Sequence, residues 1–185
     1  MRINYVTGIL GRRGSGKTFL IQKIIAAYRD KHPMKKILIV EKFGSQDYME
    51  LPIITPDHIK RWSGAGTYRV CGRPDPIHHA ISNHLYNACI IIEDATRFIS
   101  KNLTEDVRDF IIDSKQKNLD IVMVFHGFSS VPPEILKYID ILTIFKCDHP
   151  KCRKPILSEY DRILESYTEV MKSKNIHANK TIQLY

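Results

Sequence analysis

A glycine-rich segment at residues 11–18 combines residue types that bind phosphate. It reads GRRGSGKT and matches the pattern G-x-x-x-x-G-K-[ST] in full. Its glycines let backbone N–H groups converge on phosphates, Lys17 reaches the β- and γ-phosphates, and the Thr18 hydroxyl ligates Mg²⁺. The pattern predicts binding of ATP, or of GTP, together with Mg²⁺. The expected cofactor-binding residues are Gly11, Arg12, Arg13, Gly14, Ser15, Gly16, Lys17, Thr18 and Phe19.

A pair of carboxylates follows an apolar run at residues 89–92. The segment reads CIIIED, as expected of a buried strand that delivers acids to its carboxyl end. We expect Glu93 to hold a magnesium-bound water and Asp94 to polarise the attacking water. The usual order is Asp then Glu. The Asp94 carboxylate therefore falls about 1.5 Å short of a glutamate's reach, which leaves the strength of hydrolysis open.

A second apolar run, residues 121–125, ends at His126. A polar side chain at this position of a P-loop motor senses the γ-phosphate, and His126 is a candidate for that role. The alternative is a histidine that only satisfies the end of a strand. The candidate catalytic residues are Lys17, Glu93, Asp94 and His126.

Apolar runs of strand type alternate along the chain with segments of helical periodicity. This order predicts an α/β fold with a mostly parallel central sheet flanked by helices, as in P-loop NTPases. We predict strands at residues 3–10, 36–40, 67–71, 89–92, 121–125 and 139–145. We predict helices at residues 17–28, 56–62, 76–86, 103–115, 132–138 and 158–172. A polar tail follows the last helix.

Length and charge limit the class of protein. The chain has 185 residues, room for one α/β domain, with an expected core at residues 3–146 and a C-terminal helix and tail at residues 150–185. No apolar run approaches the roughly 20 residues of a membrane span, and no signal peptide is recognisable. The four cysteines are irregularly spaced, which favours a reducing cytoplasmic setting. The net charge of +8 permits a polyanionic partner such as DNA.

The segments GRRGSGKT, CIIIEDATRFI and NLDIVMVFHGFSSVPPEI together resemble the HerA-FtsK superfamily of DNA-pumping ATPases. Within it, the chain is most similar to viral packaging ATPases and to zonula occludens toxin-like proteins. The resemblance covers roughly residues 3–146 and departs from the family at His126, where glutamine is common. The toxin-like proteins carry a membrane span and a further domain after the ATPase core. Their absence here favours a soluble motor, in the host cytoplasm or in a virion.

The resemblance implies a RecA-like fold and a homo-oligomeric ring, usually a hexamer, with the nucleotide between subunits. It also implies double-stranded DNA as a partner and a capsid or portal protein as another. A basic residue would be supplied across the subunit interface. The sequence does not choose among the candidates Arg97, Arg108, Lys115 and Lys117.

Other functions remain open from the sequence. A slow P-loop NTPase that regulates assembly is compatible with Asp94, whereas a small-molecule kinase would need an arginine-rich lid that we do not find. A GTPase should carry N-K-x-D, and here Phe145 stands in place of the asparagine, which favours adenine. The three potential zinc ligands Cys147, His149 and Cys152 lack standard spacing.

Overall fold

The computed structural model describes residues 4–99, 103–150 and 159–184. The strands are β1 (Val6–Leu10), β2 (Lys36–Glu41), β3 (Ile53–Ile54), β4 (Gly66–Cys71), β5 (Ala88–Ile92), β6 (Leu119–Phe125), β7 (Ile141–Phe145) and β8 (Asn179–Gln183). The helices are α1 (Lys17–Lys31), α2 (Pro56–Arg61), α3 (Pro74–His84), α4 (Glu105–Asp113) and α5 (Tyr160–Lys172). Short 3-10 turns lie at Gln46–Tyr48, Ala95–Arg97, Phe128–Ser130 and Ile135–Lys137.

In the described part of the chain the strands form one eight-stranded sheet in the order β3-β4-β2-β5-β6-β1-β7-β8. The pairs from β3 to β7 are parallel, and β8 pairs antiparallel with β7. The predicted α/β fold with a mostly parallel sheet is therefore confirmed. Because β6 lies between β1 and β5, the carboxyl ends of these three strands meet at one edge.

Helices cover both faces of the sheet, which explains why the central strands are apolar without alternation. On one face, Ile21 and Ile25 of α1 pack against a cluster that includes Ile39 and Val124. On the other face, residues of the remaining helices pack with the opposite side of the same strands, as Phe110 of α4 does. The sheet is thus buried between two apolar layers, and its edge is left for polar residues.

The structure differs from the sequence prediction mainly at the margins of the sheet. The tail after the last helix was expected to be only polar, but it contains the edge strand β8. Its polar side chains face solvent, while Leu184 just after the strand is buried. The Thr181 and Thr143 hydroxyls are 2.9 Å apart across the pair. This segment becomes a strand because it pairs with β7, since an exposed edge strand has little apolar pattern of its own.

Several predicted boundaries were also wrong. Helix α3 begins at Pro74, two residues earlier than predicted, since proline fits the first turn of a helix. The predicted helix at residues 132–138 is only a 3-10 turn, and the two-residue strand β3 was missed. The predicted element ends at residues 3 and 158 lie outside the described residues. Within the ranges that the structure describes, no helix is both long enough and apolar enough to cross a bilayer.

A buried ion pair supports the sheet at the edge opposite the phosphate loop. Lys35, just before β2, donates a hydrogen bond to Asp120 on β6, and both side chains are almost completely buried. Asp120 also accepts from the backbone N–H of Tyr5 at 2.9 Å. A buried charge that loses its partner is strongly destabilising.

We therefore expect Asp120→Asn to lower the free energy of unfolding by about 3–5 kcal/mol, as measured by urea denaturation. The matched control is Asp57→Asn, which breaks an exposed pair with Lys60 and should change stability little. Equal stabilities of the two variants would show that the buried pair does not support the sheet.

Candidate functional site

Backbone hydrogen bonds hold the phosphate loop to the ends of β6 and β7, the two strands that flank β1. The Gly11 N–H donates to the carbonyl of Phe125 at 3.1 Å, and the Arg12 N–H donates to the carbonyl of Lys146 at 2.9 Å. A Cβ on Gly11 would lie 2.5 Å from Ser15 Oγ and 2.7 Å from Phe145 Cβ, so no larger residue fits there without a shift. The loop therefore packs its backbone tightly against β6 and β7.

Lys17 and Ser15 present polar groups to the interior of this loop. Lys17 Nζ donates to the carbonyls of Gly11 at 2.6 Å and Arg12 at 3.0 Å. Burial lowers the pKa of Lys17, opposed by the charge of Glu93. The Ser15 hydroxyl is buried, with the residue 2% exposed, and has no hydrogen-bond partner among the described residues. An unpartnered buried hydroxyl beside a lysine and a helix N-terminus fits a bound phosphate.

Glu93 follows β5 and lies at the same edge. Its N–H donates to the carbonyl of Val40 at 2.9 Å, which holds it beside the end of β2. Burial raises the pKa of its carboxyl group, while a hydrogen bond from Tyr48 and the charge of Lys17 act in the opposite direction. The Tyr48 hydroxyl lies 2.5 Å from Glu93 Oε1. Tyr48 belongs to no sequence motif and reaches the site from a loop, so no pattern in the sequence predicts its place here.

Asp94 sits in a different environment from its neighbour. Its backbone is left-handed, with φ 49° and ψ 57°, and its carboxylate accepts from Thr96 Oγ1 at 2.7 Å and from Arg97 Nε. His126 Nε2 lies 3.6 Å from Asp94 Oδ1. Burial raises the pKa of Asp94, but these hydrogen bonds and His126 outweigh it and leave the pKa lowered. The structure thus brings Asp94 and His126 together, with Asp94 ionised and held by its neighbours.

The predicted magnesium ligands are both oxygen donors. Thr18 lies in the first turn of α1, directly after Lys17, and Glu93 lies close enough to Lys17 to affect its pKa. A hydroxyl and a carboxylate are hard ligands of the kind that Mg²⁺ prefers beside phosphate oxygens. The donor set therefore fits a magnesium nucleotide.

The side chains of Phe19 and His177 lie beside the phosphate loop. Phe19 on α1 is 62% exposed, and the Lys23 ammonium group lies 4.5 Å from the centre of its ring. A Cβ on Gly16 would lie 3.4 Å from His177 Nδ1, so the turn before β8 approaches the loop. His177 was not a candidate in the sequence, because no pattern links the tail to the loop. Arg12 and Arg13, which the motif also contains, are exposed.

Three of the four candidates for a basic residue acting across a subunit interface make contacts within this chain. Arg97 binds Asp94, Arg108 Nε lies 2.8 Å from Glu134 Oε1, and Lys117 Nζ donates to the carbonyl of Ser82 at 2.5 Å. The side chain of the fourth, Lys115, is exposed. A role for any of them in a neighbouring subunit stays a prediction.

Of the potential zinc ligands, the structure describes Cys147 and His149. Burial raises the pKa of Cys147 to about 12, which disfavours the thiolate that zinc requires. Cys152 lies outside the described residues. Among residues 4–99, 103–150 and 159–184 no group of three or more histidine, cysteine or acidic side chains is placed to hold a metal ion.

Several solved structures with the same fold are of a viral packaging protein. The chain is similar to the genome packaging NTPase B204 from Sulfolobus turreted icosahedral virus 2 in complex with sulfate, with TM-score 0.76, 17% identity, and coverage of 100% of this chain and 93% of that chain. For its complex with AMPPCP the values are 0.77, 17%, 98% and 93%. For B204, the DNA-packaging ATPase from Sulfolobus turreted icosahedral virus, they are 0.72, 17%, 100% and 94%.

No protein-family model matches this chain, and no curated protein matches it. At these identities the likeness shows the fold alone. At that level it confirms the resemblance to viral packaging ATPases that the sequence motifs indicated.

We expect Lys17→Ala to weaken ATP binding roughly 10- to 100-fold, because it removes a charge-assisted contact to phosphate. The measurement is a titration with a fluorescent ATP analogue, with circular dichroism to confirm folding. Lys31→Ala, at the exposed end of the same helix, is the control and should bind as the unchanged protein does. Equal affinities for a folded Lys17→Ala protein would contradict the assignment of the loop.

Proposed function

We propose that this chain is a subunit of an ATP-hydrolysing motor that translocates or packages double-stranded DNA. The observation that carries the proposal is the meeting of Lys17, Glu93 and Asp94 at one sheet edge beside a complete phosphate loop. The fold supports it, because the similar solved structures are described as a genome packaging NTPase and as a DNA-packaging ATPase. The net charge of +8 agrees with a DNA partner.

In this proposal some residues bind the nucleotide and others promote its hydrolysis. The loop N–H groups, Ser15 and Lys17 bind the β- and γ-phosphates, and Thr18 and Glu93 would hold Mg²⁺, Glu93 through a water. Bound Mg²⁺ neutralises charge that develops on the phosphate oxygens. Asp94 orients and polarises the attacking water, and His126 contacts the γ-phosphate. ATP is favoured over GTP, because Phe145 replaces the asparagine of the guanine motif.

We expect Asp94→Asn to lower turnover by roughly 100-fold or more while ATP still binds, on the scale of a lost general base. Glu93→Gln should instead raise the Mg²⁺ concentration needed for half-maximal turnover. Both are measured by phosphate release in a magnesium titration. Asp30→Asn, an exposed carboxylate on α1, is the control. Near-normal turnover of Asp94→Asn would place the base elsewhere.

A slow, regulatory NTPase is the second candidate. The observation that favours it is the contact of Asp94 with both Thr96 and Arg97, which occupies both oxygens of the shorter carboxylate. In the motor, a conformational change on ring assembly would have to free Asp94.

The ring, with a hexamer as the expected size, would form the ATP site between subunits. A portal or capsid protein would be its docking partner, in the host cytoplasm or the virion.

A motor must hold DNA mainly through its phosphates, so binding should depend strongly on salt and little on sequence. We expect affinity for duplex DNA to fall by roughly a thousandfold between 50 and 200 mM salt if about six phosphates are contacted. Fluorescence anisotropy with two unrelated duplexes measures this. Sedimentation and ATPase assays, run with and without DNA, should show a larger oligomer and faster turnover with DNA.

The same experiment separates the two candidates. A protein that binds nucleotide but shows no DNA binding at low salt, and no effect of DNA on oligomer size or turnover, is the regulator and not the motor. DNA binding that depends on sequence and not on salt would also contradict a translocase.

A further inference from the structure

A tyrosine outside every recognised motif makes the closest side-chain contact to Glu93. Tyr48 lies in the 3-10 turn Gln46–Tyr48, and its hydroxyl donates to Glu93 Oε1 at 2.5 Å. The side chain is buried. Among the described residues, no protein donor contacts the second oxygen of this carboxylate, Oε2. One oxygen of Glu93 is thereby fixed and the other is available.

The loop that carries Tyr48, residues 42–52 between β2 and β3, is clamped by a buried ion pair. Glu41 at the end of β2 accepts from the Ser45 N–H at 2.7 Å and from Arg69 Nη1 at 3.3 Å. Arg69 on β4 also donates to the carbonyl of Ser45 at 3.0 Å and, through Nε, to the carbonyl of Leu51 at 3.1 Å. The two residues thus hold the loop on both sides of Tyr48.

Burial of the Glu41–Arg69 pair carries a desolvation cost in free energy. Arg69 and Glu41 are both buried, and replacing such a pair by apolar side chains is often neutral or stabilising. Stability alone therefore does not require it. What the pair does accomplish is to set the position of a loop that otherwise has no regular structure apart from one short turn. The geometry of the clamp is consistent with delivery of Tyr48 to the acidic edge.

We propose that Tyr48 is a positioning residue that orients the Glu93 carboxylate toward the magnesium nucleotide. The inference rests on the proposed function, since it assigns Tyr48 to the same site. The Tyr48 ring also belongs to the apolar cluster on the α1 face, together with Ile39 and Ile91. A phenylalanine fills the same space, so only the hydroxyl distinguishes a packing role from a positioning role.

Tyr48→Phe tests this distinction. We expect it to weaken binding of a non-hydrolysable ATP analogue roughly tenfold in the presence of Mg²⁺, the scale of lost support for a metal ligand. In EDTA the affinity should not change, because Glu93 acts only through the metal. Calorimetric titration measures both affinities without any need for turnover. Tyr28→Phe is the matched control, since Tyr28 is a half-buried tyrosine that lies near Asp120 at the opposite edge of the sheet.

A double-variant cycle shows whether Tyr48 acts through Glu93. In a Glu93→Gln background, Tyr48→Phe should cause little further loss of magnesium-dependent affinity. The proposal is overturned if Tyr48→Phe binds as the unchanged protein does, if it loses affinity equally with and without Mg²⁺, or if its effect is undiminished beside Glu93→Gln. Failure of the unchanged protein to bind a magnesium nucleotide would overturn the proposed function as well.

Discussion

Hydrogen bonds between β1, β6 and β5 set a parallel register in which Leu10 lies opposite Phe125 and Ile92 lies opposite Met123. These strands end in the apolar residues Leu10, Phe125 and Ile92, and the residue after each is polar or begins the phosphate loop. A slip of one residue would turn buried side chains to the wrong face, so the register is strongly specified. The functional groups are therefore brought together by the packing of residues that have no chemical role.

The two carboxylates at this edge, Glu93 and Asp94, lie in different surroundings. Glu93 is half-buried beside Lys17, and partial burial raises the pKa of the acid while it lowers the pKa of the base. These opposite shifts reflect one cost, the removal of charged groups from water. Asp94 is more exposed and is held by Thr96 and Arg97 instead. Adjacent acids in the sequence therefore have different protein partners, which agrees with different roles in hydrolysis.

Residues outside the motifs complete the surroundings of the site. The 42–52 loop brings Tyr48 to Glu93, and the turn before β8 brings His177 to the start of α1. The polar contacts of Arg97 and Lys117 within the chain also bear on the proposed assembly. Either residue would have to leave its present partner in order to reach a nucleotide on a neighbouring subunit, whereas exposed Arg12 and Arg13 would not.

The sequence alone determined the central fold and most of the site, because these depend on local patterns. Continuous apolar runs identify buried parallel strands, and the spacing in the phosphate loop identifies Lys17 and Thr18. The strand that ends in Glu93 and Asp94 is recognisable for the same reason. Tertiary structure alone decided that β8 joins the sheet and that Tyr48 contacts Glu93. Such contacts join segments whose own sequences are irregular, so long-range packing and not local periodicity determines them.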